Sequence, residues 1–155
     1  MSYKKKIMDF VISKAEDMVL SNSIEVPVVS AICIDDDIIS LETNQVEEND
    51  IAWMHAEFLA VTDACAKLKT RYLDNASIYV NLEPCSFCAS ILEKVRIKDI
   101  YFGAYDLKCG AIDNGIRLFD RSMIKPNIIG GIQEQRCSDI IKIFFERIRK
   151  YGCKT

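Results

Sequence analysis

Histidine is nearly missing from this chain of 155 residues: it occurs once, as His55, so any chemistry that needs an imidazole falls to that residue. No apolar run approaches the roughly 20 residues that a membrane-spanning helix requires. A secretory leader is not expected either, because Asp9, Glu16 and Asp17 interrupt the apolar stretch that follows Lys4, Lys5 and Lys6. Internal repeats and low-complexity tracts are absent, and no linker divides the sequence, so one domain over residues 1–155 is expected, in the cytoplasm and without a membrane partner. Positive charge is also short. The net charge is −3 and the pI about 5.2, whereas a nucleic-acid backbone rewards a positive surface. What the chain does have is apolar content: 50% hydrophobic residues against 28% charged, enough for the core of a soluble domain.

Seven cysteines is an odd number, and a cytosolic setting keeps thiols reduced, so a disulfide framework is not expected. Cys33 falls in a strand-like apolar run, and Cys65 and Cys137 fall in helical patterns; all three read as small buried hydrophobes. Cys153 reads as an exposed tail thiol. Cys109 is a conceivable fourth metal ligand, but a fourth protein ligand would close the site to catalysis.

Cys85 and Cys88 are different. They stand in Pro84-Cys85-Ser86-Phe87-Cys88, downstream of His55-Ala56-Glu57, so the chain reads H-x-E followed by P-C-x-x-C. By itself a C-x-x-C pair in a cytosolic α/β protein is as much a redox pair as a metal site; the H-x-E partner favours metal. Zinc takes imidazole nitrogen and thiolate sulfur, and one histidine with two cysteines fills three corners of a tetrahedron. The open fourth corner points to chemistry rather than scaffolding. Glu57 adds a carboxylate that the metal does not need, placed to carry protons. Pro84 suits a helix entrance, where its missing N–H costs nothing, so Cys85 and Cys88 are expected in a first turn with both sulfurs on one side. The helix dipole there favours thiolate. His55 and Glu57 pose a geometric question, since residues i and i+2 of a regular helix point apart.

H-x-E…P-C-x-x-C is the signature of the zinc nucleobase deaminases, in which the glutamate is the acid/base and not a ligand. Within that superfamily of cytidine and deoxycytidylate deaminases, Leu82-Glu83-Pro84-Cys85-Ser86-Phe87-Cys88-Ala89 and the stretch from Phe102 to Ala111 resemble the bacterial tRNA-specific adenosine deaminases. Glu25-Val26-Pro27-Val28, Asn44, and Gly131-Ile132 leading to Cys137 and Phe144-Phe145 agree, so the resemblance covers nearly the whole chain. It implies an α/β fold, a three-layer α/β/α sandwich around a central five-stranded mixed sheet, with zinc between two helix starts. It implies one Zn2+ per chain on His55, Cys85 and Cys88, Glu57 as the catalytic residue, and substrate contacts from Asn44, Val28, Pro84 and Asp106. A homodimer is implied too.

The implied reaction is hydrolytic deamination of the wobble adenosine in a tRNA anticodon loop. The acidic balance keeps a second reading open, deamination of a free base or nucleotide of guanine, cytosine or dCMP type. A third, a zinc- or RNA-binding subunit without catalysis, is opposed by Glu57, which such a subunit does not need. Three clusters offer local positive charge: Lys67, Lys69 and Arg71; Lys94, Arg96 and Lys98; and Arg147, Arg149 and Lys150. Each is equally a set of helix-end cations complementing the dipole. The chain departs from the family at Ile51-Ala52-Trp53-Met54 before the histidine, at Tyr105 in place of an arginine, and at Cys109 in place of a threonine.

Apolar periodicity predicts a helix over 5–20, a buried strand over 26–34 and a second strand over 38–41 forming a hairpin with it. A polar loop over 43–50 then leads to a helix from His55. Beyond it the pattern alternates: strand 77–82, helix 86–95, strand 99–103, short helix 112–119, strand 127–129 and helix 134–151. Such alternation predicts a mostly parallel sheet with helices on both faces.

Overall fold

The computed structural model describes residues 2–152. Five strands, β1 (Val29–Ile34), β2 (Asp37–Thr43), β3 (Ala76–Leu82), β4 (Asp99–Ala104) and β5 (Asn127–Ile129), form one sheet in the order β2-β1-β3-β4-β5. The β1–β2 hairpin turns at Asp35, whose φ of 51° is a left-handed conformation that aspartate tolerates. β3 pairs with β4, and β4 with β5, in parallel; β1 is antiparallel to both β2 and β3. The mostly parallel sheet expected from alternation is therefore corrected to a mixed one, as the family resemblance implied. Alternation detects the βα units but is blind to the direction in which a leading hairpin adds.

Helices α1 (Tyr3–Leu20) and α6 (Glu134–Tyr151) cover one face; α3 (Ala56–Leu68) and α4 (Ser86–Lys94) cover the other. Strand residues split between the layers with a period of two. Ile78, Val80, Ile100 and Phe102 pack toward α3 and α4, whereas Tyr79 and Tyr101 pack toward α1. Ile7, Met8, Val11, Ile12 and Ala15 form the buried stripe of α1 at the helical spacing read from sequence. Gly103 lets α6 approach β4, since a Cβ there would collide with the Cys137 sulfur and the Asn81 carbonyl.

Four local expectations change. The strand expected from Val26 begins only at Val29, because Pro27 lacks an N–H and a buried side chain replaces the ladder: Asn81 accepts from Val29 N–H at 2.8 Å and donates to the Pro27 carbonyl at 2.8 Å. The polar loop contains a short helix, α2 (Val46–Asn49), whose Val46 and Glu48 N–H groups donate to the buried Glu25 carboxylate. The helix expected over 112–119 is reduced to α5 (Leu118–Arg121), since the preceding residues wrap around another carboxylate, described below. Cys33 and Cys137 are buried as expected, but Cys65 is only partly covered. Cys153 lies outside the described residues. Among the described residues no helix is long and apolar enough to cross a membrane.

Candidate active site

α3 and α4 lie in the same layer, and both begin at one end of the sheet. His55 is the N-cap residue of α3 and Cys85 that of α4, each with extended backbone (φ −75°, ψ 149° and φ −72°, ψ 175°). This resolves the geometric question about His55 and Glu57. His55 precedes the helix and is not held to its angular spacing, so its ring and the Glu57 carboxyl in the first turn reach the same place. Cys85, expected inside the first turn of α4, caps it instead, and Cys88 sits within that turn. Nδ1 of His55 lies 3.6 Å from Cys85 Sγ and 3.4 Å from Cys88 Sγ, and the three ligand atoms lie within 4.8 Å of one another. A tetrahedral zinc ion with bonds of about 2.0–2.3 Å requires its N and S ligands to stand roughly 3.5 Å apart. The donor set fits that metal in both chemistry and spacing.

The electrostatics agree. The Cys85 thiol is pulled down to about 4, first by a hydrogen bond from Cys88 and then by His55, while Cys88 is held up as the pair's proton-bearing member. The hydrogen bond with Cys85 raises His55. Burial pushes Glu57, which is 5% exposed, up to about 7. A carboxyl that titrates near neutrality is suited to moving protons in both directions. Phe87 meets the His55 ring edge-on, with centroids 6.2 Å apart, and steadies it.

Glu57, His55 and Cys85 open into a cleft of about 670 Å³. Val28 and Asn44 line one side of it. The Asn44 carbonyl oxygen is occupied, accepting the Ala56 N–H at 2.8 Å and so capping α3. Residues 105–109 and the second half of α6, including Phe145 and Arg149, form the facing wall. Asp106 lies there, with Oδ1 accepting the N–H groups of Lys108 and Cys109, both at 3.0 Å. Pro84 is buried and does not line the cleft; its carbonyl accepts the Ala111 N–H at 3.0 Å. Cys109 is exposed at the cleft and stands outside the His55, Cys85 and Cys88 group. Tyr105 stands edge-on to Phe102 at 5.2 Å, whereas Trp53 is 54% exposed and does not line the cleft.

The basic clusters separate. Lys67, Lys69 and Arg71 sit at and just beyond the far end of α3, about 20 Å from His55 at 1.5 Å per residue, and the second cluster likewise sits at and beyond the end of α4 remote from Cys85. Lys67 is paired with Asp63 at 2.7 Å, and Arg96 stacks over the Tyr72 ring at 4.0 Å. In the third cluster Arg147 is committed to the carbonyls of Val19 and Ser23, leaving Arg149 at the cleft.

Glu83 was not singled out from sequence. It is buried, and its two oxygens accept five hydrogen bonds from the 106–114 loop. Burial pushes its carboxyl up, but bonds from the Asn114 side chain and the Asp106, Asn114 and Asp113 N–H groups outweigh that and hold it below the usual range. The available signal was an acid immediately before Pro84, in a segment otherwise reading as strand.

Residues 1–104 match the family described as the cytidine and deoxycytidylate deaminase zinc-binding region. A tRNA-specific adenosine deaminase of Rickettsia typhi is 35% identical over 130 residues, spanning 83% of this chain and 88% of its own. A solved structure from work on A-to-I editing by tRNA:A34 deaminases superposes with a TM-score of 0.79 at 30% identity, covering 86% of this chain and 96% of that one. The guanine deaminase from Nitrosomonas europaea shares the fold, with a TM-score of 0.76 at 17% identity over 88% of this chain and 81% of its own. The family profile spans the same segment that brings His55 and the two cysteines onto adjoining helix starts, and the chain belongs to the cytidine and deoxycytidylate deaminase zinc-binding family.

Proposed function

We propose that this protein is a zinc-dependent hydrolase that converts the wobble adenosine of a tRNA anticodon loop to inosine with release of ammonia. The observation that carries the chemistry is the buried Glu57 carboxyl beside the His55, Cys85 and Cys88 donor atoms at the floor of an open cleft. The relatives named for tRNA adenosine deamination, matched over most of both chains, supply the substrate.

His55, Cys85 and Cys88 would hold one zinc ion per chain. When bound, zinc acts as a Lewis acid that makes water a stronger nucleophile near neutral pH. Glu57 does the proton work. As carboxylate it accepts a proton from the attacking water and delivers it to the ring nitrogen next to the amino-bearing carbon. It then shuttles a second proton to the amino group, the C–N bond breaks with its electrons on nitrogen, and ammonia departs. Adenosine plus water thus gives inosine plus ammonia. Asn44 keeps its amide N–H groups for the base while its oxygen caps α3, Val28 offers an apolar surface, and the main chain around Asp106 walls the pocket. Pro84 acts from behind, by orienting Cys85. Lys108 and Arg149 at the cleft supply local positive charge that the net charge conceals.

A homodimer, which the family resemblance implies, and a cytoplasmic location, which the sequence suggests, complete this reading. Ammonia release and inosine formation are measured with zinc-loaded protein on an anticodon stem–loop and, separately, on adenosine, guanine, cytosine and their nucleotides. Inosine in the loop RNA is the expected result. Turnover of a free base alone would replace this reading with the small-molecule one that the acidic balance favours.

A further inference from the structure

Glu83 has no part in that chemistry, yet it is the most heavily bonded side chain beside the site. Its Oε1 accepts three successive N–H groups, those of Ile112 at 3.1 Å, Asp113 at 2.8 Å and Asn114 at 3.0 Å. Convergence of consecutive main-chain N–H groups on one oxygen is how backbone concavities bind anions. Its Oε2 accepts the Asp106 N–H at 3.0 Å and the Asn114 side-chain amide at 2.7 Å. The loop is thus gripped at both ends by a residue two positions before the ligand Cys85. Gly110 leaves room for that grip, since a Cβ there would collide with the Glu83 carboxylate and the Asp106 carbonyl. Cys85 and Gly110 also pair through an isolated antiparallel bridge, with Ala111 N–H donating to the Pro84 carbonyl at 3.0 Å. The gripped loop carries Leu107, Lys108 and Cys109 in the wall that faces His55 and Glu57.

We propose that Glu83 is a positioning residue for substrate binding: its carboxylate fixes the 106–114 loop at a set distance from the start of α4, so that the recognition wall and the metal ligands move as one body. Glu83 borders the cleft, but both its oxygens are taken up by the 106–114 loop, so it acts through that loop. A five-bond anchor of a loop that carries no metal ligand fits a need for a preformed wall, because a loop already held in its binding geometry spares the substrate the cost of ordering it. The inference rests on the proposed deamination for its kinetic readout and on the loop alone for its second readout.

The test is Glu83→Gln in the zinc-loaded full chain. The amide keeps the shape of the side chain but turns an N–H toward N–H donors. Zinc content is expected to match the parent, KM for the anticodon stem–loop to rise about tenfold, and kcat to change by less than about threefold. Amide hydrogen exchange is expected to accelerate about tenfold or more within 106–114 and to stay unchanged in β3 and α4. Asn114→Ala, which removes one of the five bonds from a residue outside the cleft, should do the same more weakly and guards against a failure of the first variant to fold. Unchanged exchange within 106–114 overturns the proposal whatever the substrate. So does a fall in zinc content with kcat and KM unaltered, which would assign Glu83 to holding the start of α4 and its metal ligands alone. If the parent protein does not act on the RNA, the functional reading fails, and accelerated exchange confined to the loop still supports the clamp.

Discussion

Nδ1 of His55 and Sγ of Cys88 lie 3.4 Å apart across 33 residues of chain. Neither helix start makes a metal site by itself; the pair meets because α3 and α4 pack side by side on one face of the sheet. Metal binding is therefore coupled to the native packing, and a ligand that binds only the folded state stabilises it. Chelation, or His55→Ala, should remove zinc, abolish deamination and lower the thermal midpoint, by roughly 2–4 °C for each kcal/mol of binding free energy lost. Metal analysis and a melting curve with and without added zinc check this, and a midpoint indifferent to zinc would contradict it.

Glu57→Gln should keep zinc and the fold while losing the proton carrier. General acid–base catalysis contributes on the order of 10²–10⁴-fold, so kcat should drop by at least the lower figure with metal content unchanged. Single-turnover inosine formation is the measurement; near-parental activity would remove Glu57 from the mechanism.

Arg149→Ala should weaken binding of the anticodon stem–loop and flatten the dependence of log K on log salt by about one unit, as expected for loss of one phosphate contact. Lys69→Ala and Arg71→Ala, at the far end of α3, should change neither. Titrations at several salt concentrations separate these outcomes, and equal effects at both places would mean that the RNA path is not set by the cleft.

Arg136 clasps Glu16 with Nε and Nη2, both at 2.7 Å, joining α6 to α1. Its guanidinium holds the Glu16 carboxyl below the ordinary 4.5. A carboxyl whose pKa is lowered on folding stabilises the native state above its unfolded value, and that gain is lost as pH falls through the folded value. Both side chains are more than a third exposed, so solvent screening limits the pair to about 1 kcal/mol or less. Arg136→Leu should cost that much at pH 7, and the difference from the parent should shrink below pH 4.5. Urea unfolding at the two pH values tests the sign; a gap that widens in acid would contradict it.

Much of the fold was legible because its signals are local. The helical stripe of Ile7, Val11 and Ala15 and the apolar runs Val29 to Ile34 and Ile78 to Val80 each report one element. The misreadings share a cause. Val26–Val28 has the pattern of a strand, but the Asn81 side chain, from the neighbouring strand β3, bonds the Pro27 carbonyl and the Val29 N–H in place of the ladder. Residues 112–119 have a helical pattern, yet the N–H groups of Ile112, Asp113 and Asn114 turn to Glu83, about 30 positions away. Val46–Asn49 read as a loop because Glu25, which accepts two of its N–H groups, lies outside any local window.

Sequence alone determined the donor chemistry. One histidine, two cysteines at i and i+3 behind a proline, and a glutamate two places beyond the histidine carry their meaning in residue identity and short spacing. Only the tertiary structure decided that His55 caps its helix and escapes the helical angle, that Glu57 is buried deeply enough to hold a proton near neutrality, that Arg149 faces the cleft while Lys69 and Arg71 lie far from it, and that Glu83 grips the opposite wall. Those outcomes depend on where helices settle on a sheet, and that position is fixed by contacts between residues far apart in the chain.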